Sequence, residues 1–181
     1  LGAFVPLASF AMFHLVTIFP LSWITLYGGQ SAAEFLWVQV AGAAVGAVGI
    51  VLSGVIADRI GRRNQLMAGA ILIAIFSFSA PFLLDAGGKG QDAYILIGFF
   101  ILGLTFGQSS GAVSSRFTKY YRYTGAALTS DLAWLVGAGF APLVALGLAT
   151  SFGIIFIGGY LISGAICTIA ALTLTRALDQ N

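Results

Sequence analysis

Two ionisable residues stand inside apolar sequence, and any chemistry would have to start from them. His14 sits among Phe10, Phe13 and Leu15, and Asp131 among Leu128, Leu132 and Trp134. An imidazole changes charge near neutral pH, so His14 is a candidate to hold a proton or meet an acidic ligand. A carboxylate at membrane depth is expensive and faces a cavity or a partner, which makes Asp131 the second candidate. Trp134 beside it and Gln108 complete the set of candidate substrate and proton contacts. Each has a plainer reading. His14 as a hydrogen-bonded structural residue is an equal alternative, and Asp131 as a partner of Arg116 or Arg122 is another. Gln39 and Gln108 are uncharged amides, and Glu34 reads as a solvated loop residue. The chain has one His and one Cys, Cys167, which lies in an apolar run. Neither a disulfide framework nor a zinc set can be assembled from them, so no metal is expected. No nucleophile–base pair is present either, which leaves an enzyme as the weakest class; no catalytic residues are assigned.

The elements that must position these residues follow from composition. Of 181 residues, 59% are hydrophobic and 8% charged, with a mean hydropathy of +1.00. A soluble domain carries about 25% charge, so this is a polytopic membrane protein. A net charge of +2 is too sparse for a nucleic-acid footprint. A helix needs about 20 apolar residues to cross the hydrocarbon. Six stretches qualify: Phe4–Tyr27, Phe35–Ala57, Leu66–Leu84, Tyr94–Val113, Thr124–Ala149 and Ile154–Thr175. They lack the period-two alternation of barrel strands, so an all-α bundle is expected. The first stretch has no basic lead-in and is too long for a signal peptide. Its abrupt start at Leu1 predicts a piece of a longer chain.

Seven of the eight basic residues fall on one side of this arrangement: Arg59, Arg62, Arg63, Arg116, Lys119, Arg122 and Arg176. Lys89 alone falls on the other. The asymmetry of Lys and Arg predicts that both termini are cytoplasmic. His14 then lies ten residues into the first helix, about 15 Å deep, and Asp131 seven residues past Thr124, about 10 Å. Phe10, His14, Thr17 and Leu21 share one helical face, as do Asp131, Leu135, Ala138 and Pro142. Pro142 frees a backbone carbonyl within its span. Trp23 and Trp37 flank the first outer loop at the depth of an aromatic belt. Gly42 and Gly46, and Gly103, Gly107 and Gly111, recur every four residues and predict close helix packing.

The second stretch ends in Gly54-Val-Ile-Ala-Asp58-Arg59-Ile-Gly61-Arg62-Arg63. Gly54 permits close helix approach, Gly61 supplies a turn, and the arginines can pair with Asp58 or with helix ends. The arginines alone would be an ordinary basic loop. The full spacing between two apolar spans is more specific, and it resembles the GxxxDRxGRR signature of the major facilitator superfamily. Arg122-Tyr123-Thr124-Gly125-Ala126, preceded by Tyr121, and Gly137-Ala-Gly139-Phe-Ala-Pro142-Leu143 are similar to the superfamily's metabolite:proton symporter family. Leu1 through Thr17 resembles that family's seventh helix.

The resemblance runs end to end and implies the C-terminal six-helix half, helices seven to twelve, of a twelve-helix symporter. It implies a gating role for Gly54, Asp58, Arg59, Gly61, Arg62 and Arg63, with Asp58 capping a helix of the opposite half. It implies that the first and fourth helices line a central cavity while the second and fifth lie between halves. The chain departs from the family at Ser114-Ser115-Arg116-Phe117-Thr118, where two prolines and a glutamate are usual; no role of that acid carries over. The expected function is alternating-access symport of a small organic metabolite with protons. The energy source would be the proton gradient, with no cofactor. The partners would be the lipid bilayer and a missing N-terminal half, in a bacterial inner membrane. The alternative is a truncated or excised membrane module that does not transport.

Overall fold

The computed structural model describes residues 2–28, 31–114 and 118–179. Arg116, and with it any pairing to Asp131, lies outside them. Among the described residues are six helices long and apolar enough to cross a membrane: α1 (Gly2–Tyr27), α2 (Ala32–Ile60), α3 (Arg62–Asp85), α4 (Gly88–Ser114), α5 (Arg122–Phe152) and α6 (Ile155–Asp179). The protein is an integral membrane protein of the all-α class, as its composition requires.

The helices outrun the apolar stretches because a membrane helix continues into the headgroup layer, where polar side chains are solvated. α2 begins at Ala32 on a Ser31 cap, whose Oγ accepts from the Glu34 backbone N–H at 3.3 Å. Glu34 therefore belongs to the first helical turn and not to a loop, and its charge suits the positive end of the helix. α4 begins at Gly88, so the outer link between α3 and α4 shrinks to Ala86 and Gly87. Gly87 takes a φ of 78° there, which favours a residue without Cβ. The segment Arg122–Gly125 also proves helical: it forms the first turn of α5, with the Gly125 N–H bonded to the Tyr121 carbonyl at 2.8 Å.

Two of the six helices are interrupted. α1 is α-helical over Leu7–Thr17, turns at Ile18, resumes over Phe19–Trp23 and ends in a wider π turn at Ile24–Gly28. α5 widens into a π turn at Leu135–Gly139 and resumes at Ala141, with Pro142 in the new first turn. The face expected to run from Asp131 through Pro142 is consequently broken. Proline is accommodated because the helix restarts around it, where its missing N–H costs nothing.

α2 packs along α4 over most of its length, α3 packs on α6 and α4, and α1 sits innermost against α4, α5 and α6. Met12, Leu15 and Phe19 of α1 meet Ile73 and Phe76 of α3, Tyr94 of α4 and Leu161 of α6 in the core. The glycine repeats do pack closely. A Cβ at Gly49 would lie 2.7 Å from the Phe100 carbonyl oxygen, and one at Gly103 would strike the Gly46 carbonyl. Without a hydrophobic drive between helices in lipid, this backbone proximity is what makes the α2–α4 seam. Burial is uneven: 67% of the most apolar stretch of α1 is enclosed, against 28% for α2 and 29% for α5.

Candidate functional site

His14 and Trp134 are brought together from helices 120 residues apart in sequence. Their ring centroids are 5.6 Å apart in an edge-on arrangement. Each lies twelve residues from the start of its helix, about 18 Å at 1.5 Å per residue, so the two meet near the middle of the bilayer. Three further rings close around them. Phe10 stacks on Trp134 at 4.7 Å, Phe13 lies 5.3 Å from both His14 and Trp134, and Phe106 of α4 stands 5.8 Å from Phe10 and Phe13. His14 is half-buried, and its Nδ1 is enclosed with no hydrogen-bond partner. An enclosed imidazole nitrogen without a partner is unusual, since buried polar atoms are nearly always satisfied. The cluster thus presents one polar, protonatable ring within aromatic walls.

Asp131 lies one turn before Trp134 at an exposed position of α5. Among the described residues it has no ion-pair partner, Arg122 included. Gln108 is not part of the cluster. It is buried in the α2–α4 seam, where its Nε2 donates to Ser53 Oγ at 3.1 Å.

Sequence reasoning passed over Gln39. Its Nε2 donates to the carbonyls of Thr17 at 2.5 Å and Val16 at 3.4 Å, at the break in α1 one turn above His14. Pro20 has no N–H to offer Val16 four residues earlier, so α2 supplies the missing donor across the helix interface. The signal was available: an amide inside one apolar span and a proline inside another.

At the inner face, Gly61 adopts a φ of 85° between α2 and α3, a conformation that favours glycine. Arg63 donates twice to the Leu172 carbonyl of α6, at 2.6 and 3.3 Å, and Arg62 donates to the Gly111 carbonyl of α4 at 3.3 Å. Of the pairings open to these arginines, Arg62 takes a helix end, Gly111 lying in the last turn of α4, where a cation suits the negative pole of the dipole; Arg63 instead reaches a carbonyl about two turns inside α6. Asp58 and Arg59 are exposed. A Cβ at Gly54 would meet nothing within 4 Å, so the close approach expected there involves no element among the described residues. Those residues also contain no group of three His, Cys, Asp or Glu able to hold a metal.

Comparison with known proteins decides the family. The chain is 32% identical over 182 residues to the inner membrane metabolite transport protein YhjE of Escherichia coli K12, covering 97% of this chain and 41% of that protein. It is 30% identical over 188 residues to a Haemophilus influenzae protein named as a metabolite transport protein, covering 97% of this chain and 43% of the relative. The chain belongs to the major facilitator superfamily. A further relative, 26% identical over 176 residues, is the shikimate transporter of E. coli K12, with 93% and 39% covered. The chain spans about two fifths of the length of these curated relatives. They are transport proteins and not enzymes, in line with the expectation that this chain is no enzyme. No family model matches the chain, and no solved structure matches it.

Proposed function

We propose that the chain is the C-terminal six-helix half of a proton-coupled secondary transporter for a small organic metabolite. The observation that carries this reading is the partnerless His14 nitrogen within the mid-membrane aromatic cluster. The relatives' names as metabolite transport proteins support the transport role. The two halves of such a transporter are parallel repeats that rock about a midplane site. Low burial of α2 and α5 supports placing these helices against the N-terminal half, with Gly54 and Asp58 on that boundary. His14 takes up the coupling proton, and Asp131 tunes its charge from the edge of the cavity. Trp134 forms the wall between them. The concentration of Lys and Arg on one side supports cytoplasmic termini in a bacterial inner membrane.

The test is uptake by the transporter containing both halves, in proteoliposomes with an imposed pH gradient. His14→Ala abolishes the dependence on the gradient, and Asp131→Asn shifts it. Wild-type uptake and pH dependence in both variants would sink the proposed site. The 181 residues alone do not transport, because half of the pathway lining is missing; uptake by the purified fragment would contradict that.

A further inference from the structure

The function proposed above leaves the substrate class open, and a cavity beside His14 bears on it. It lies between α1, α2 and α4, has a volume of about 220 Å³, and is walled by Phe13, Phe99 and Phe106. Ala43, Gly46 and Ala47 form its α2 side and open the space by being small. Gly46 lies fourteen residues into the 29-residue α2, so the cavity is at the same mid-bilayer depth as His14. None of the residues lining it has a polar side-chain atom. Phe13 and Phe106 belong both to this wall and to the aromatic cluster, and the Phe13 ring is 5.3 Å from that of His14.

We infer that this cavity seats the hydrocarbon body of the transported molecule while His14 meets its charged head. This rests on the reading of His14 as the polar contact of the transport site. The substrate class is therefore a small organic acid with an apolar ring or branched alkyl body, not a polyhydroxylated acid. Volume supports the ring: an apolar cavity of about 150 Å³ accepts benzene, and this one is larger. Chemistry supports the absence of hydroxyls, because a hydroxyl placed here would have no side-chain partner. Discrimination against an added hydroxyl in an apolar pocket reaches about a hundredfold. The head is anionic because the imidazole, once protonated, is the one cation of the cluster. Nδ1 is enclosed, but the ring as a whole is only half-buried, and its open edge is the side a carboxylate can meet.

The test uses the transporter containing both halves in lipid nanodiscs, with tritiated cyclohexanecarboxylate as the probe. Its hydroxylated counterpart quinate and its cationic counterpart cyclohexylamine serve as competitors. Ala47→Leu fills the cavity from an exposed position of α2, where folding tolerates it; Ala44→Leu, also exposed but not lining the cavity, is the control. The expected result is saturable binding of the probe, quinate weaker by about a hundredfold, and cyclohexylamine without effect. Ala47→Leu weakens the probe at least tenfold and Ala44→Leu leaves it unchanged. Quinate or cyclohexylamine competing as well as the probe overturns the proposal. So does equal behaviour of the two leucine variants, or no saturable binding at all. The two readings fail separately. Probe binding with this pattern but no proton-coupled uptake defeats the transport role alone. Proton-coupled, His14-dependent uptake of quinate defeats the cavity assignment alone.

Discussion

Gly49 and Gly54 lie on the same helix, five residues apart, and the same substitution at each should have opposite effects. A Cβ at Gly49 would stand 2.7 Å from the Phe100 carbonyl oxygen and 3.2 Å from Gly103 Cα and Leu104 N. All three are backbone atoms, so no side chain can rotate away. Restoring ordinary contact requires α2 and α4 to part by several tenths of an ångström along their seam. Overpacking of this kind costs about 1–3 kcal/mol. At Gly54 the added methyl meets nothing within 4 Å. Only the helix preference of Ala over Gly remains there, about 0.5–1 kcal/mol in favour of the variant. That same preference offsets part of the cost at Gly49, so the difference between the two variants equals the packing term. A gap of about 1–3 kcal/mol is expected, a factor of five or more in the folded fraction. The assay is SDS-induced unfolding in mixed micelles, followed by far-ultraviolet circular dichroism on the purified chain. Gly49→Ala should unfold at lower SDS fraction than the parent, and Gly54→Ala at an equal or higher one. Shifts of the same sign and similar size would refute the view that backbone proximity at Gly49 is what joins α2 to α4.

Three further outcomes follow from the same geometry. Gln39→Leu leaves the Val16 and Thr17 carbonyls without their cross-helix donor and should destabilise the chain by about 0.6–2 kcal/mol. Pro20→Ala restores the internal donor to Val16, so the double variant should recover part of that loss in the same SDS titration. Arg63→Ala removes both bonds to Leu172 and should cost about 1.5–3 kcal/mol. Arg63→Lys should recover only part, since an ammonium cannot reproduce the guanidinium fork; full recovery would mean that charge alone holds α6. On the proposed reading, Gly54→Leu in the transporter containing both halves should abolish uptake without lowering the SDS fraction at which the isolated chain unfolds. Loss of stability in the isolated chain would place the neighbour of Gly54 within this half.

The six spans were legible because hydrophobic length is a local property that needs no knowledge of neighbours. The helix ends were not, since Glu34 and Arg122 lie outside the apolar stretches yet are exposed and solvate readily at the membrane surface. Ser31 was the readable cue at one of those ends. The importance of His14 could be argued from its type and depth alone. Its neighbours could not: Phe106 lies 92 positions away in sequence, and only the fold places its ring 5.8 Å from Phe13. Gln108 shows the converse. A buried amide in an apolar helix reads as a ligand contact, but Ser53 across the glycine seam already engages it. For the arginines, the outcome follows because backbone carbonyls of α4 and α6 are fixed targets and the side chain of the exposed Asp58 is not.

The interior position of α1 has a consequence for how the chain is made. α1 precedes the other five helices during synthesis, yet its polar groups find their partners late. The Ala8 N–H bonds to Thr168 Oγ1 of α6 at 2.9 Å, across 160 residues. The Leu15 carbonyl accepts from Tyr94 Oη at 2.8 Å, and the break at Thr17 waits for Gln39. On entering the bilayer, α1 therefore carries backbone groups whose partners within this six-helix unit have yet to be made. Its membrane insertion is provisional until α6 arrives. The order of synthesis and the order of satisfaction run in opposite directions, so premature termination before α6 leaves the Ala8 N–H of α1 without its Thr168 partner.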